Sequence, residues 1–213
     1  MQIKAVMRTT DSLQKIELLS CGSLTDESLE PLKHQTSLRE LTLKGALQIS
    51  HETVLKLRGL EHLQVLSLSG ASALQCAPLS GFKSLTDLHL ADCASLVKIN
   101  FPNRLPLVVL DVRGCPRLTD EGLATVAKLK LLADVYLSGT GITDETILLL
   151  PSSSIRVRTV ISVRDSRNIK GFLTQDALYL ITVCESLNFP KYKVYIRDTL
   201  LLSCLHRSMC LRT

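Results

Sequence analysis

The sequence predicts an α/β fold: an open, curved solenoid with a parallel sheet on its concave side and short helices or loops on its convex side. Three observations carry that expectation. First, a string recurs, because residues 13–29 read LQKIELLSCGSLTDESL and residues 107–123 read LVVLDVRGCPRLTDEGL, with apolar, cysteine and Thr-Asp-Glu positions aligned. Second, the pattern L-x-x-L-x-L-x-x-C-x-x-L continues between them, with first leucines at Leu13, Leu38, Leu63, Leu85, Leu107 and Leu132 and spacings of 25, 25, 22, 22 and 25. Third, each copy carries two apolar residues at alternate positions, which places both on one face of a strand. Units this thin cannot cover their own apolar face, so they stack.

Taken in order, residues 1–12 are a partial N-terminal cap or a remnant repeat, with Ile3, Val6 and Met7 as its apolar content. Residues 13–151 hold six repeats. Their inward pairs are Ile16 and Leu18, Leu41 and Leu43, Leu66 and Leu68, Leu88 and Leu90, Leu110 and Val112, and Val135 and Leu137. Residues 152–173 are a degraded seventh repeat, traced from Arg158 through Ile161, Val163 and Ile169. Residues 174–213 follow as an atypical C-terminal cap, a basic interaction tail, or sequence at the end of a longer array. The apolar runs ALYLITV and TLLLSCL favour packing.

Two fixed positions have structural meanings. The ninth is small throughout, being Cys21, Ala46, Ala71, Cys93, Cys115, Thr140 and, in the degraded copy, Ser166. A crowded layer where the chain turns off a strand requires that, and Cys21, Cys93 and Cys115 are read as buried structural residues. Thr-Asp-Glu recurs at Thr25-Asp26-Glu27, Thr119-Asp120-Glu121 and Thr143-Asp144-Glu145, with the variant Ser50-His51-Glu52. A hydroxyl that caps a helix and acids in its first turn make these helix start signals. The apolar spacing of LATVAKLKLL predicts a short helix there. The third and fourth repeats are shorter, lack the signal, and are expected to carry a loop or a single turn.

The pattern L-x-x-L-x-L-x-x-C-x-x-L-T-D-E-G-L resembles the cysteine-containing subfamily of leucine-rich repeats. It is similar to the arrays of F-box substrate receptors and of trypanosomatid leucine-rich repeat proteins. The resemblance covers residues 13–150 well and extends weakly to 173. It implies a protein-binding solenoid, with the substrate-recognition part of a ubiquitin ligase, and a ligase adaptor as partner, as the alternative. No F-box-like segment is visible ahead of Leu13.

Composition bounds the rest. The chain has 213 residues, of which 46% are apolar and 4% aromatic, so its core is leucine and small residues. No basic segment followed by an apolar run opens it, and no apolar stretch has the length of a membrane span. Seven cysteines, an odd number without close pairing, fit reduced thiols and an intracellular location, cytoplasmic or nuclear. The net charge of +5 resides at one end: residues 1–151 carry 15 Lys+Arg against 16 Asp+Glu, and residues 152–213 carry 10 against 4.

The register also places residues on the concave face, at the third, fifth, seventh and eighth positions of each repeat. Across seven copies these number seven acids and four bases, so the face is mildly acidic and does not suit nucleic acid. The candidate partner-binding residues are Asp87, His89, Asp92, Asp111, Arg113, Asp134 and Tyr136 on adjacent strands. They suit a protein partner with a basic segment, since Tyr and Arg are favoured at binding hot spots. His89 near Asp111 has no Ser or Cys nucleophile beside it, and no Gly-rich phosphate loop exists, so no catalytic residue is assigned. Cys204, His206 and Cys210 lack a fourth ligand at a zinc-like spacing, so neither metal nor cofactor is expected.

Overall fold

In the computed structural model the described residues are 12–143, with Thr146 and Leu150. The degraded seventh repeat, the last forty residues, Asp144, Glu145, and the cluster of Cys204, His206 and Cys210 lie outside them, as do residues 1–11 of the expected N-terminal cap.

Eight strands run in chain order: β1 (Lys15–Leu19), β2 (Glu40–Lys44), β3 (Val65–Ser67), β4 (Cys76–Pro78), β5 (Asp87–His89), β6 (Lys98–Asn100), β7 (Val109–Asp111) and β8 (Asp134–Tyr136). Six of them form one sheet in the order β1-β2-β3-β5-β7-β8, and every pairing is parallel. The register joins Ile16, Leu41, Leu66, Leu88, Leu110 and Val135 in a single inward row. From β2 to β8 both inward residues of each repeat are fully or almost fully buried, while Leu18 at β1 is half-buried. Each such leucine removes enough apolar surface from water to contribute about 1.5 to 3 kcal/mol.

The eighth position of each of the six described repeats has a left-handed backbone. Ser20, Gly45, Gly70, Asp92, Gly114 and Gly139 have φ of 59°, 71°, 81°, 59°, 69° and 73°. That twist turns the chain off the strand and points the small ninth residue inward. Glycine adopts it without a Cβ penalty, which accounts for four of the six.

The outer side departs from the sequence expectation in three places. The third and fourth repeats do not carry a loop or a single turn: β4 and β6 pair with each other as a second parallel sheet. Their central residues Ala77 and Ile99 are buried and the flanking ones are not, the alternation of a one-sided strand. Pro78 is tolerated because β4 is an edge strand. The fifth repeat, expected to be helical, makes two separate 3-10 turns, Glu121–Leu123 and Val126–Lys128. Between them the Thr125 hydroxyl donates to the Ile99 carbonyl (3.3 Å) and accepts from the Phe101 N–H (3.1 Å), tying the chain to β6 and interrupting a helix.

The third departure concerns the Thr-Asp-Glu acids. Asp26 does not start its own repeat's turn; it accepts from the Ser50 N–H (2.9 Å), the Ser50 hydroxyl (2.6 Å) and the Thr53 hydroxyl of the next repeat. Ser50 does act as a cap, accepting from the Glu52 N–H (3.2 Å) at the start of α1 (His51–Leu57). Asp120 repeats the device, accepting from the N–H and hydroxyl groups of Thr143 and Thr146. The aspartates are therefore cross-links between successive repeats. Partial burial by itself would raise both carboxyls; the hydroxyl and backbone donors outweigh it and hold both below the usual carboxylate range.

Candidate partner-binding face

Strand alternation turns the residues between the inward leucines to the opposite face of the six-stranded sheet. Two of its rows follow from the register. One runs Lys15, Glu40, Val65, Asp87, Val109, Asp134; the other runs Glu17, Thr42, Ser67, His89, Asp111, Tyr136. At the N-terminal end of this face the acids are partly compensated, since Lys15 pairs with Glu40 at 3.0 Å and lies 3.9 Å from Glu17. Toward β5, β7 and β8 the balance changes.

There Asp87 and Asp134 flank the apolar Val109, all three half-buried. The Thr86 hydroxyl donates to Asp87 at 2.6 Å and fixes its carboxylate. In the second row Asp111 differs from its expected placement: only 4% of it is exposed. Its carboxylate receives the Arg113 Nε–H (2.8 Å), an Arg113 terminal N–H (2.6 Å) and the Arg113 backbone N–H (3.2 Å). His89 Nδ1 lies 3.9 Å away on the other side. Burial would raise the Asp111 carboxyl, yet the bonds from Arg113, with the His89 ring close by, hold it well below the usual carboxylate range. The charge of Asp111 is thus spent inside the protein. A spacing of two along a strand puts both side chains on one face, so the string Asp111-Val112-Arg113 already carried that signal.

The same fork sets Arg113, whose guanidinium carbon lies 5.2 Å from the centre of the Tyr136 ring. A cation over an aromatic face is attracted to it, so Asp111, Arg113 and Tyr136 form one braced unit across β7 and β8. Asp92 is exposed, but it occupies the left-handed eighth position, and its carboxylate lies along the backbone of Gly114 in the next repeat. Of the seven candidate residues the structure therefore gathers five, His89, Asp111, Arg113, Tyr136 and the adjacent Asp134, and sets Asp87 and Asp92 beside them.

Cys21, Cys93 and Cys115 are buried. The Cys93 and Cys115 thiols donate to the carbonyls of Leu68 (3.4 Å) and Leu90 (3.1 Å), one repeat back in each case. The neighbouring Cys93 thiol and burial both push Cys115 up, and burial pushes Cys21 up, which keeps these two thiols protonated and inert. Among the described residues no helix is long and apolar enough to cross a membrane.

Residues 106–127 match the family model described as Leucine Rich repeat. That span is one repeat with its ninth-position cysteine and its cross-linking aspartate, and with the parallel sheet and short helices it fits an α/β leucine-rich repeat fold. No curated protein matches the chain. Leucine-rich repeat domains generally mediate protein–protein interaction and are generally not enzymes.

Proposed function

We propose that this protein is a non-enzymatic binding module, a curved solenoid whose six-stranded sheet lines the concave side and takes a basic segment of a partner protein. The observation that carries the reading is the half-buried, acid-bearing row on β5, β7 and β8. Asp87 and Asp134 stand two strands apart, roughly 10 Å at ordinary strand spacing, with the braced Tyr136 ring beside them. Two carboxylates at that distance suit two bases of a partner, and an aromatic ring already fixed in place loses little freedom on binding.

The test is a comparison of captured proteins. Tagged full-length chain is incubated with extract of its native cells beside two variants, Asp87→Arg/Tyr136→Ala on the sheet face and Lys98→Ala on β6 of the second sheet. A partner retained by the parent and by Lys98→Ala but lost from the sheet-face variant supports the assignment. A partner retained equally by all three removes it. Asp111 is left intact, because replacing a buried, bonded carboxylate would disturb the fold as well as the surface.

A further inference from the structure

A second charged surface lies off the sheet face, at the edge where the chain enters β7 and β8. The backbone N–H groups of Ala133 and Asp134 both donate to the Val108 carbonyl, at 2.7 and 2.9 Å, so the two entrances run side by side. An open groove lies between them, lined by Asn103, Arg104, Pro106, Lys128, Lys130 and Leu131. Arg104 and Lys128 are exposed and form no ion pair among the described residues. At the preceding entrances Lys83, before β5, bonds Glu61, before β3, at 2.7 Å, so that lysine is compensated. Beside the uncompensated cations, Leu131 is 56% exposed.

We propose that this groove is a second docking site, for a segment of a protein partner that carries carboxylates around an apolar side chain. The carboxylates meet Arg104 and Lys128, and the apolar side chain seats on Leu131 and Pro106. Charge complementarity selects this occupant. The chain's own C-terminal part does not fit, as residues 152–213 carry 10 Lys+Arg against 4 Asp+Glu. Nucleic acid fits less well, because among the described residues no aromatic ring lines the groove for a base to stack on.

The experiment is fluorescence anisotropy on the full chain with a labelled peptide of alternating glutamate and leucine, a lysine–leucine control peptide and a single-stranded oligonucleotide. The expected result is that the glutamate peptide binds, weakens with salt, and loses about tenfold in affinity in Arg104→Glu/Lys128→Glu. Leu131→Ser should lose severalfold, and Asp87→Arg/Tyr136→Ala should lose nothing, which separates this groove from the sheet face. An unchanged thermal melt of the charge-reversed chain is expected, since neither side chain has an ion-pair partner among the described residues. Equal affinity of parent and charge-reversed chain would assign the peptide to the basic last 62 residues and overturn the proposal. Absence of glutamate-peptide binding would overturn it too, as would an oligonucleotide that binds more tightly and responds to the same substitutions.

Discussion

Repeats of 25 residues and repeats of 22 share one inward leucine row but fasten their outer segments by different means. Thirteen residues past the first leucine, the first and fifth repeats place Asp26 and Asp120, whose carboxylates reach hydroxyl and backbone donors one repeat on. At the same position the third and fourth place Cys76 and Lys98, which open the paired strands β4 and β6. The inward row asks only for stacked leucines. The outer side must still satisfy the polar groups of each returning segment, and a carboxylate or a strand ladder achieves this equally. Among the described repeats the strand ladder belongs to the two short ones and the carboxylate to two of the longer ones, while the second repeat, with His51 at that position, forms α1 instead.

Substitutions should separate the two solutions. The largest effect is expected at Gly122, where an added Cβ would overlap the Val97 carbonyl oxygen between the fourth and fifth repeats. Gly122→Ala should lose about 3 kcal/mol in urea denaturation, whereas Gly59→Ala, with nothing within 4 Å, should be neutral or slightly stabilising. Next comes Asp120→Ala, which strands the Thr143 and Thr146 donors and should cost about 2 kcal/mol. Lys98→Ala, at the same repeat position in a short repeat, should stay within about 0.5 kcal/mol. Equal losses at the two positions would break the distinction.

Acid should reveal the same contrast. Asp26 and Asp120 titrate lower in the folded chain than in the unfolded one, so the unfolded chain binds more protons as pH falls. Their stabilisation is complete above about pH 4 and is lost as pH drops through the folded values. Asp26→Asn/Asp120→Asn should flatten part of the acid limb of a stability–pH curve; Asp111, shifted in the same direction, contributes to what is left, as do the ion-paired Glu30 and Glu61. A smaller loss than at Asp120 is expected at the ninth position, where Cys115→Ala removes one thiol bond to Leu90 and a little volume, about 1 kcal/mol by thermal melt.

The inward row was legible because its signal is local: a period of two within each strand and a repeat length that brings Leu66, Leu88 and Leu110 into line. The eighth position was read only as part of the concave face; its left-handed backbone went unread although Gly45, Gly70, Gly114 and Gly139 carry the signal, and Asp92 there reads as a surface acid until its backbone is known. The outer strands were not legible, since Cys-Ala-Pro and Lys-Ile-Asn gain strand character only from each other. Asp26 misleads for a related reason: Thr-Asp-Glu has a local meaning as a cap, and its actual donors lie about one period away. Reading each aspartate against serine or threonine one repeat later would have found Ser50, Thr53, Thr143 and Thr146. On the sheet face, the string identified Tyr136 and Arg113 as neighbours, but only the fold shows that Asp111 is enclosed and spends its charge on Arg113.

The assignment of the sheet face is tested most directly by hydroxyl-radical footprinting of the chain, free and bound to a captured partner. Shielding of His89 and Tyr136 on binding, with His51 and Leu55 on α1 as reactive as before, is the expected result. Shielding confined to α1 and the outer segments, with His89 and Tyr136 unchanged, would contradict it.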